Sequence, residues 1–164
     1  MRKAEIYQHF NQLLDPYPTD IKDWIIGIDK LLCGSGCKID AKIKGSDNSA
    51  MFTYTFRKNN KRVCRIHMGE EGCKAAPYGH HFAYGESILT ELPESMLDEM
   101  TKSGQCSGCS TKRPDLVTHS FRYTHKGKSY SGCQHEGFAF SLDKAGEREL
   151  LEKWIAMELA AVRE

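Results

Sequence analysis

Residues 51–68 read MFTYTFRKNNKRVCRIHM, with apolar and polar side chains alternating on either side of a basic turn. Alternation with a period of two is typical of β-strands that bury one face. A three-residue turn at positions 59–61 would place Phe56 opposite Cys64 and bring the apolar side chains of both strands to one face. This register is favoured because a slip of one residue would turn these side chains outward. The stretch therefore predicts an antiparallel hairpin with Cys64 in the core.

Residues 119–133 read HSFRYTHKGKSYSGC and predict a second hairpin. The Lys-Gly pair at its centre suits a tight turn, because glycine readily takes the positive φ that such turns require. The predicted register places Tyr123 opposite Tyr130, and Ser120 opposite Cys133. Shorter strands are expected near residues 37–44 and 73–77.

Helical periodicity marks both ends of the chain and a short segment that begins at Pro93. Apolar side chains recur at the i, i+3, i+4 and i+7 positions along residues 2–14, 19–32, 93–100 and 143–157. Thr19 or Asp20 is expected to cap the second helix. Trp24 and Trp154 lie on apolar faces and are both expected to pack against the sheet. These patterns predict an α+β fold, in which N-terminal and C-terminal helices pack on a central antiparallel sheet of hairpins.

The composition is that of a globular domain. The 164 residues fit a single domain, residues 1–164. The chain has 23 Lys and Arg against 22 Asp and Glu, a net charge of +1, which argues against a nucleic-acid-binding protein. The sequence shows no signal peptide and no run of about 18 apolar residues that could span a bilayer. We therefore expect a cytoplasmic protein with no membrane partner and with reduced cysteines.

Seven cysteines make metal or thiol chemistry the first question about function. A CxxC motif lies in a Cys/Gly-rich loop at residues 104–116, and a Cys-x-His motif ends the second hairpin. Positions i and i+2 of a strand share a face, and the two open ends of a hairpin are adjacent, so the donors of both motifs can converge. Three thiolates and one imidazole favour zinc, and a site filled by four protein ligands is structural. The sequence therefore predicts a structural zinc ion bound by Cys106, Cys109, Cys133 and His135.

Other interpretations of the CxxC motif stay open. His119 is an alternative fourth ligand in place of His135. The motif could also be a pair of free surface thiols, or a redox pair. Redox CxxC motifs usually begin a helix, which lowers the thiol pKa, and residues 110–114, which end in proline, oppose a helix here.

A second pair of cysteines, Cys33 and Cys37, lies between the second helix and the strand that follows. Their spacing would allow both sulfurs to bind one metal ion. In the simpler interpretation, Gly34 ends the helix and Cys33 packs inward. The candidates for completing a metal site here are Cys73, His80 and His81.

Motifs of the common enzyme classes are missing from the sequence. It contains no Gly-rich phosphate-binding loop, no nucleophile elbow and no HExxH motif. The basic turn at residues 57–62 is most simply a solvated end of two strands. We therefore expect a non-enzymatic, zinc-binding module that binds a small molecule or a protein. The competing hypothesis is a thiol-redox protein, or a protein that handles iron or zinc.

The order of elements from about residue 20 to residue 154 resembles the YdhG-like domain and related uncharacterised bacterial families. The elements that carry this resemblance are the Trp24 helix, Phe52-x-Tyr54-x-Phe56, Cys64-x-Ile66, Leu92-Pro93-Glu94 and the Trp154 helix. The resemblance implies a small α+β domain with a central antiparallel sheet. One branch of the group is frataxin-like and handles iron, which implies a row of acidic residues on a helix. The first two helices here offer only Glu5, Asp20, Asp23 and Asp29.

Overall fold

The computed structural model describes residues 2–45, 48–84, 88–102, 120–133 and 136–164. Across these ranges the chain has the predicted α+β fold, with helices at both ends. The helices are α1 (Lys3–Leu14), α2 (Thr19–Gly34), α3 (Glu94–Lys102) and α4 (Ala145–Arg163), and short 3-10 helices span His80–Tyr84 and Ile88–Thr90. The strands are β1 (Cys37–Lys44), β2 (Ser49–Phe56), β3 (Arg62–Gly69), β4 (Gly72–Pro77), β5 (Ser120–His125), β6 (Lys128–Cys133) and β7 (Phe140–Ser141).

Five strands form an antiparallel sheet in the order β1-β2-β3-β4-β7, and β5 and β6 form a separate two-stranded sheet. Helices pack on the face of the larger sheet that carries Phe52 and Tyr54. The Phe10 ring of α1 meets the Phe52 ring edge-on at 5.1 Å, and the Tyr54 hydroxyl donates to Asp29 of α2 at 3.0 Å. Helix α4 contacts β2, β3 and β4. The core therefore lies between this sheet face and the helices.

The β2–β3 hairpin buries the predicted face, but the predicted register is wrong by two residues. Cys64 lies opposite Tyr54 rather than Phe56, and it is fully buried as expected. The turn is longer than predicted because the Phe56 amide donates to the Lys61 carbonyl at 2.8 Å. A four-residue turn alone would rotate the apolar side chains of β3 outward. A bulge, which leaves Val63 unpaired between the Tyr54 and Thr55 pairings, restores their orientation.

The β5–β6 hairpin has the predicted register. Tyr123 lies opposite Tyr130, and Ser120 lies opposite Cys133. The turn glycine, Gly127, has a φ of 71°, as the tight turn requires. The stacked rings of Tyr123 and Tyr130 lie 5.5 Å apart. The strand pairing of this hairpin is thus set by local turn chemistry.

The two tryptophans differ in burial. Trp154 is fully buried, as predicted, and its ring centre lies 5.6 Å from those of Phe138 and Phe140. Its indole N–H donates to the Tyr78 carbonyl at 2.6 Å. Trp24 is only partly buried, and its indole N–H donates to the Arg148 carbonyl at 3.1 Å. Trp24 therefore joins α2 to α4, and Trp154 lies at the centre of an aromatic cluster.

The start of α2 differs from the prediction. Neither Thr19 nor Asp20 caps the helix, because Pro18 occupies the N-cap position without a side-chain hydrogen bond. The Asp20 carboxylate instead pairs with the Arg148 guanidinium of α4. In the parts of the chain that the structure describes, no helix is long and apolar enough to cross a membrane.

Candidate functional site

Cys133 is the one residue of the predicted zinc site within the described ranges. It is the last residue of β6 and is 7% exposed. Its backbone pairs with Ser120, the first residue of β5. Residues 103–119, which contain the CxxC motif, therefore join the described fold directly opposite Cys133. Outside the described residues lie Cys106, Cys109, His135 and the alternative ligand His119.

Glu136 and Gly137 contact the end of β6. The Cys133 carbonyl accepts hydrogen bonds from the amides of Glu136 and Gly137, both at 3.2 Å. Gly137 has a φ of 70°, and a Cβ at this position would lie 2.9 Å from the Pro77 carbonyl oxygen. Only glycine fits such a close backbone approach at positive φ. This contact holds the end of β6 against β4.

An ion pair between the buried Arg65 and the half-exposed Glu136 holds the same region over β3. Arg65 is 7% exposed, and its Nη1 lies 3.1 Å from the Glu136 carboxylate. The guanidinium carbon lies 5.9 Å from the centre of the Tyr78 ring. A charge buried to this degree is stable only with such partners. The segment that follows β6 is thus attached to the main sheet by charge as well as by backbone contact.

The structure does not bring together the candidates for a second metal site. Cys37 lies opposite Phe56, at one end of β2. Cys73 lies opposite Met68, which pairs with Ala50 near the other end of that strand. His80 and His81 begin the 3-10 helix that follows β4. In the sheet, β2 and β3 lie between β4 and β1, the strand that begins with Cys37. Among the described residues, no three His, Cys, Asp or Glu side chains are grouped to hold a metal ion.

Cys33 and Cys37 nevertheless share one site. Cys33 lies in the last turn of α2 and Cys37 is the first residue of β1, and both line a cleft of about 180 Å³. Cys37 is 1% exposed, whereas Cys33 is partly exposed. Burial raises the pKa of Cys33, and it raises the pKa of Cys37 to about 11. Both sulfurs are therefore thiols at neutral pH.

Two residues that the sequence analysis did not single out for this region surround the Cys33 sulfur. It lies 3.6 Å from the Asp29 carboxylate and 3.5 Å from the Tyr7 hydroxyl. Asp29 also accepts hydrogen bonds from the hydroxyls of Tyr7 at 3.1 Å and Tyr54 at 3.0 Å. The i, i+4 spacing of Asp29 and Cys33 on one helix was a signal for this contact. Tyr7 and Tyr54 come from distant segments, so the sequence held no local signal for them.

A buried acid–base pair is the other feature that sequence reasoning missed. Glu158 of α4 is fully buried and accepts hydrogen bonds from the backbone amides of His80 at 2.9 Å and His81 at 3.0 Å. The same carboxylate contacts His81 Nδ1. It thereby satisfies amides at the start of a 3-10 helix, which would otherwise be unpaired. A signal existed, because position 158 continues the apolar stripe of α4 beside Ile155 and Leu159.

Comparison of the chain with models of protein families, with curated proteins and with solved structures finds no match in any of the three. The likeness to the YdhG-like domain therefore remains a prediction that rests on the residue pattern. The α+β architecture that it implies is the one observed. Any function must be argued from the geometry of this chain.

Proposed function

We propose that this protein is a cytoplasmic, non-enzymatic α+β binding module whose β5–β6 hairpin is held by one structural zinc ion. The observation that carries the proposal is the pairing of Ser120 with Cys133. The CxxC segment precedes Ser120 in the sequence, and Ser120 begins the strand whose end lies opposite Cys133. The proposed ligands are Cys106, Cys109, Cys133 and His135.

A zinc ion beside Cys133 would add to the contacts that already attach the hairpin to the rest of the fold. An isolated two-stranded sheet is only marginally stable. At the turn, His125 Nε2 lies 3.2 Å from the Asp98 carboxylate of α3, and Lys126 pairs with Glu94 of the same helix. Zinc would hold the opposite end, beside Cys133. Because such a site forms only in the folded chain, its binding free energy adds to folding stability.

The burial of Glu158 and His81 supports a binding module over an enzyme that uses this pair as its acid and base. Glu158 is 0% exposed and His81 is 3% exposed, and they contact each other. A general acid or base must come within hydrogen-bonding distance of its substrate. Neither group reaches solvent, so this pair serves the packing of the 3-10 helix on α4.

The outer face of the hairpin offers a surface for a partner. A shallow cleft of about 390 Å³ runs along it, lined by residues 122–124 of β5 and residues 129–131 of β6. The partner is a small molecule or a protein, since a net charge of +1 gives no basic excess for a nucleic acid. The exposed residues of this face are Arg122, Thr124, Ser129 and Ser131.

Zinc content in matched variants tests the proposal. Protein produced with zinc present should carry about one zinc ion per chain, and Cys109→Ser should lose both the metal and thermal stability. Cys33→Ser is the matched control, because Cys33 lies in the separate cleft at the end of α2. Comparing His135→Ala with His119→Ala identifies the fourth ligand, since only the true ligand lowers zinc affinity when it is removed.

The competing thiol-redox function gives the opposite result. Wild-type protein would then hold no stoichiometric zinc, and Cys106 and Cys109 would form a disulfide under mild oxidation. Full zinc content in Cys109→Ser would also contradict the proposed site.

A further inference from the structure

The cleft between the end of α2 and the start of β1 is lined by two cysteines that are not among the proposed zinc ligands. Cys33 is partly exposed, and Cys37 is buried. The Gly36 amide donates to the Cys33 carbonyl at 3.3 Å, and Gly36 has a φ of 95°. This tight turn brings Cys37 back towards the helix end, so that both thiols line the same small cleft.

The charges that line the cleft are mostly positive. Lys3 of α1, Lys38 of β1 and Arg57 after β2 line it, against the Asp40 carboxylate in the lining and the Asp29 carboxylate beside Cys33. The Asp40 carboxylate lies 3.9 Å from Lys38 Nζ. Clefts with an excess of one charge attract reactants of the opposite charge and raise their association rates. The surroundings of Cys33 therefore favour an anionic reactant.

We propose that Cys33 and Cys37 form a dithiol site that undergoes thiol–disulfide exchange with an anionic low-molecular-weight disulfide of the glutathione class. Cys33, the more accessible thiol, reacts first, and Cys37 completes the exchange from inside the cleft. In the reduced site the Cys33 thiol donates a hydrogen bond to the Asp29 carboxylate at 3.6 Å, and the thiolate fraction is the form that reacts. This reaction is independent of zinc binding at the β5–β6 hairpin.

The exchange has two balanced steps. In the first, Cys33 loses its proton and its thiolate attacks one sulfur of the disulfide RSSR. A mixed disulfide forms on Cys33, and the RS⁻ that leaves takes up a proton to give RSH. In the second, the Cys37 thiolate attacks the Cys33 sulfur, which forms the Cys33–Cys37 bond and releases a second RSH. The two protein thiols lose two electrons, and RSSR gains them.

Treatment of the full chain with glutathione disulfide, followed by alkylation and peptide mass spectrometry, tests the first part of the proposal. Wild-type protein should yield a Cys33–Cys37 disulfide. The Cys37→Ser variant should stop at glutathione bound to Cys33, whereas Cys33→Ser should leave Cys37 unmodified. A model dithiol peptide, oxidised by the same glutathione disulfide, is the positive control. If both thiols of the wild-type protein stay reduced while this peptide is oxidised, the proposal is overturned, whatever the variants show.

A comparison of an anionic with a cationic disulfide tests whether the site prefers an anionic reactant. The exchange rate with glutathione disulfide should exceed the rate with the cationic disulfide cystamine by about tenfold, after each is divided by its rate with a model peptide thiol. The double variant Lys38→Gln, Arg57→Gln keeps both thiols and should remove most of this preference. Equal normalised rates for the two disulfides in wild-type protein would overturn the assignment of an anionic reactant.

Discussion

Glu158 accepts a hydrogen bond from the backbone amide of His81 at 3.0 Å and contacts the Nδ1 atom of the same residue. The carboxylate also accepts the His80 amide at 2.9 Å. A fully buried carboxylate requires several donors to offset the loss of water, and charge-assisted hydrogen bonds are the strongest available. This one side chain therefore attaches the 3-10 helix after β4 to α4.

Removal of the Glu158 carboxylate should destabilise the protein strongly. Glu158→Ala leaves two buried amides and the His81 ring without their acceptor, and should lower the free energy of unfolding by about 3–5 kcal/mol. Glu158→Gln keeps one acceptor oxygen and should cost less. The measurement is urea unfolding, with Glu152→Gln on the exposed side of α4 as control. Equal unfolding midpoints for Glu158→Ala and the control would contradict this role.

The stability contributed by His80 should depend on pH. Burial lowers the pKa of His80 below its ordinary value of 6.5, and its Nε2 lies 3.0 Å from the Arg62 carbonyl. The unfolded chain then binds the proton more readily than the folded one. The stability that neutral His80 contributes is fully present above the pKa that His80 has in the unfolded chain. It is lost as the pH falls through the lower pKa that His80 has in the folded protein.

Unfolding of wild-type protein and His80→Gln between pH 8 and pH 5 checks the His80 prediction. The wild type should lose more stability than the variant as the medium becomes acidic, so the difference between them should change below about pH 6.5. Parallel stability profiles over the whole range would show that His80 does not titrate in this way.

Cys64 should react with an alkylating reagent more slowly than Cys33. Burial raises the pKa of the Cys64 thiol, and its side chain is 0% exposed, whereas Cys33 is partly exposed. Iodoacetamide, which reacts with the thiolate, should therefore label Cys33 well before Cys64 in native buffer. Both should react at similar rates in urea. Native labelling of Cys64 as fast as Cys33 would contradict the packing of β3.

The two tryptophans should be distinguishable by quenching. Protein with Trp24→Phe retains only the fully buried Trp154, and should emit blue-shifted fluorescence that acrylamide barely quenches. Protein with Trp154→Phe retains the partly buried Trp24 and should be quenched more. Trp154→Ala should also cost about 3–5 kcal/mol of stability. Stronger quenching of Trp154 than of Trp24 would refute the described burial.

Local patterns were sufficient for much of the fold. Alternation and periodicity predicted the α+β class, and the Lys-Gly turn predicted the pairing of Tyr123 with Tyr130. The β2–β3 register could not be predicted in this way. The four-residue turn and the bulge at Val63 compensate for each other, so the same face is buried in a different register.

Contacts between distant segments limited the prediction of the sites. Asp20 looked like a helix cap, but it pairs with Arg148, which is far away in the chain. Glu158 and Asp29 are acids, a residue type that usually faces solvent, although position 158 continues the apolar stripe of α4. Most of their donors come from other elements, and only the assembled fold shows that Glu158 is buried and Asp29 partly buried.

The coordination of zinc tests the central claim most directly. X-ray absorption of purified, zinc-loaded protein should show three sulfur ligands at about 2.3 Å and one nitrogen ligand at about 2.0–2.1 Å. The Cys133→Ser variant, in which one thiolate is missing from the strand end opposite Ser120, should lose this pattern. Protein that takes up no stoichiometric zinc, or zinc bound mainly by oxygen, would contradict the zinc-held module.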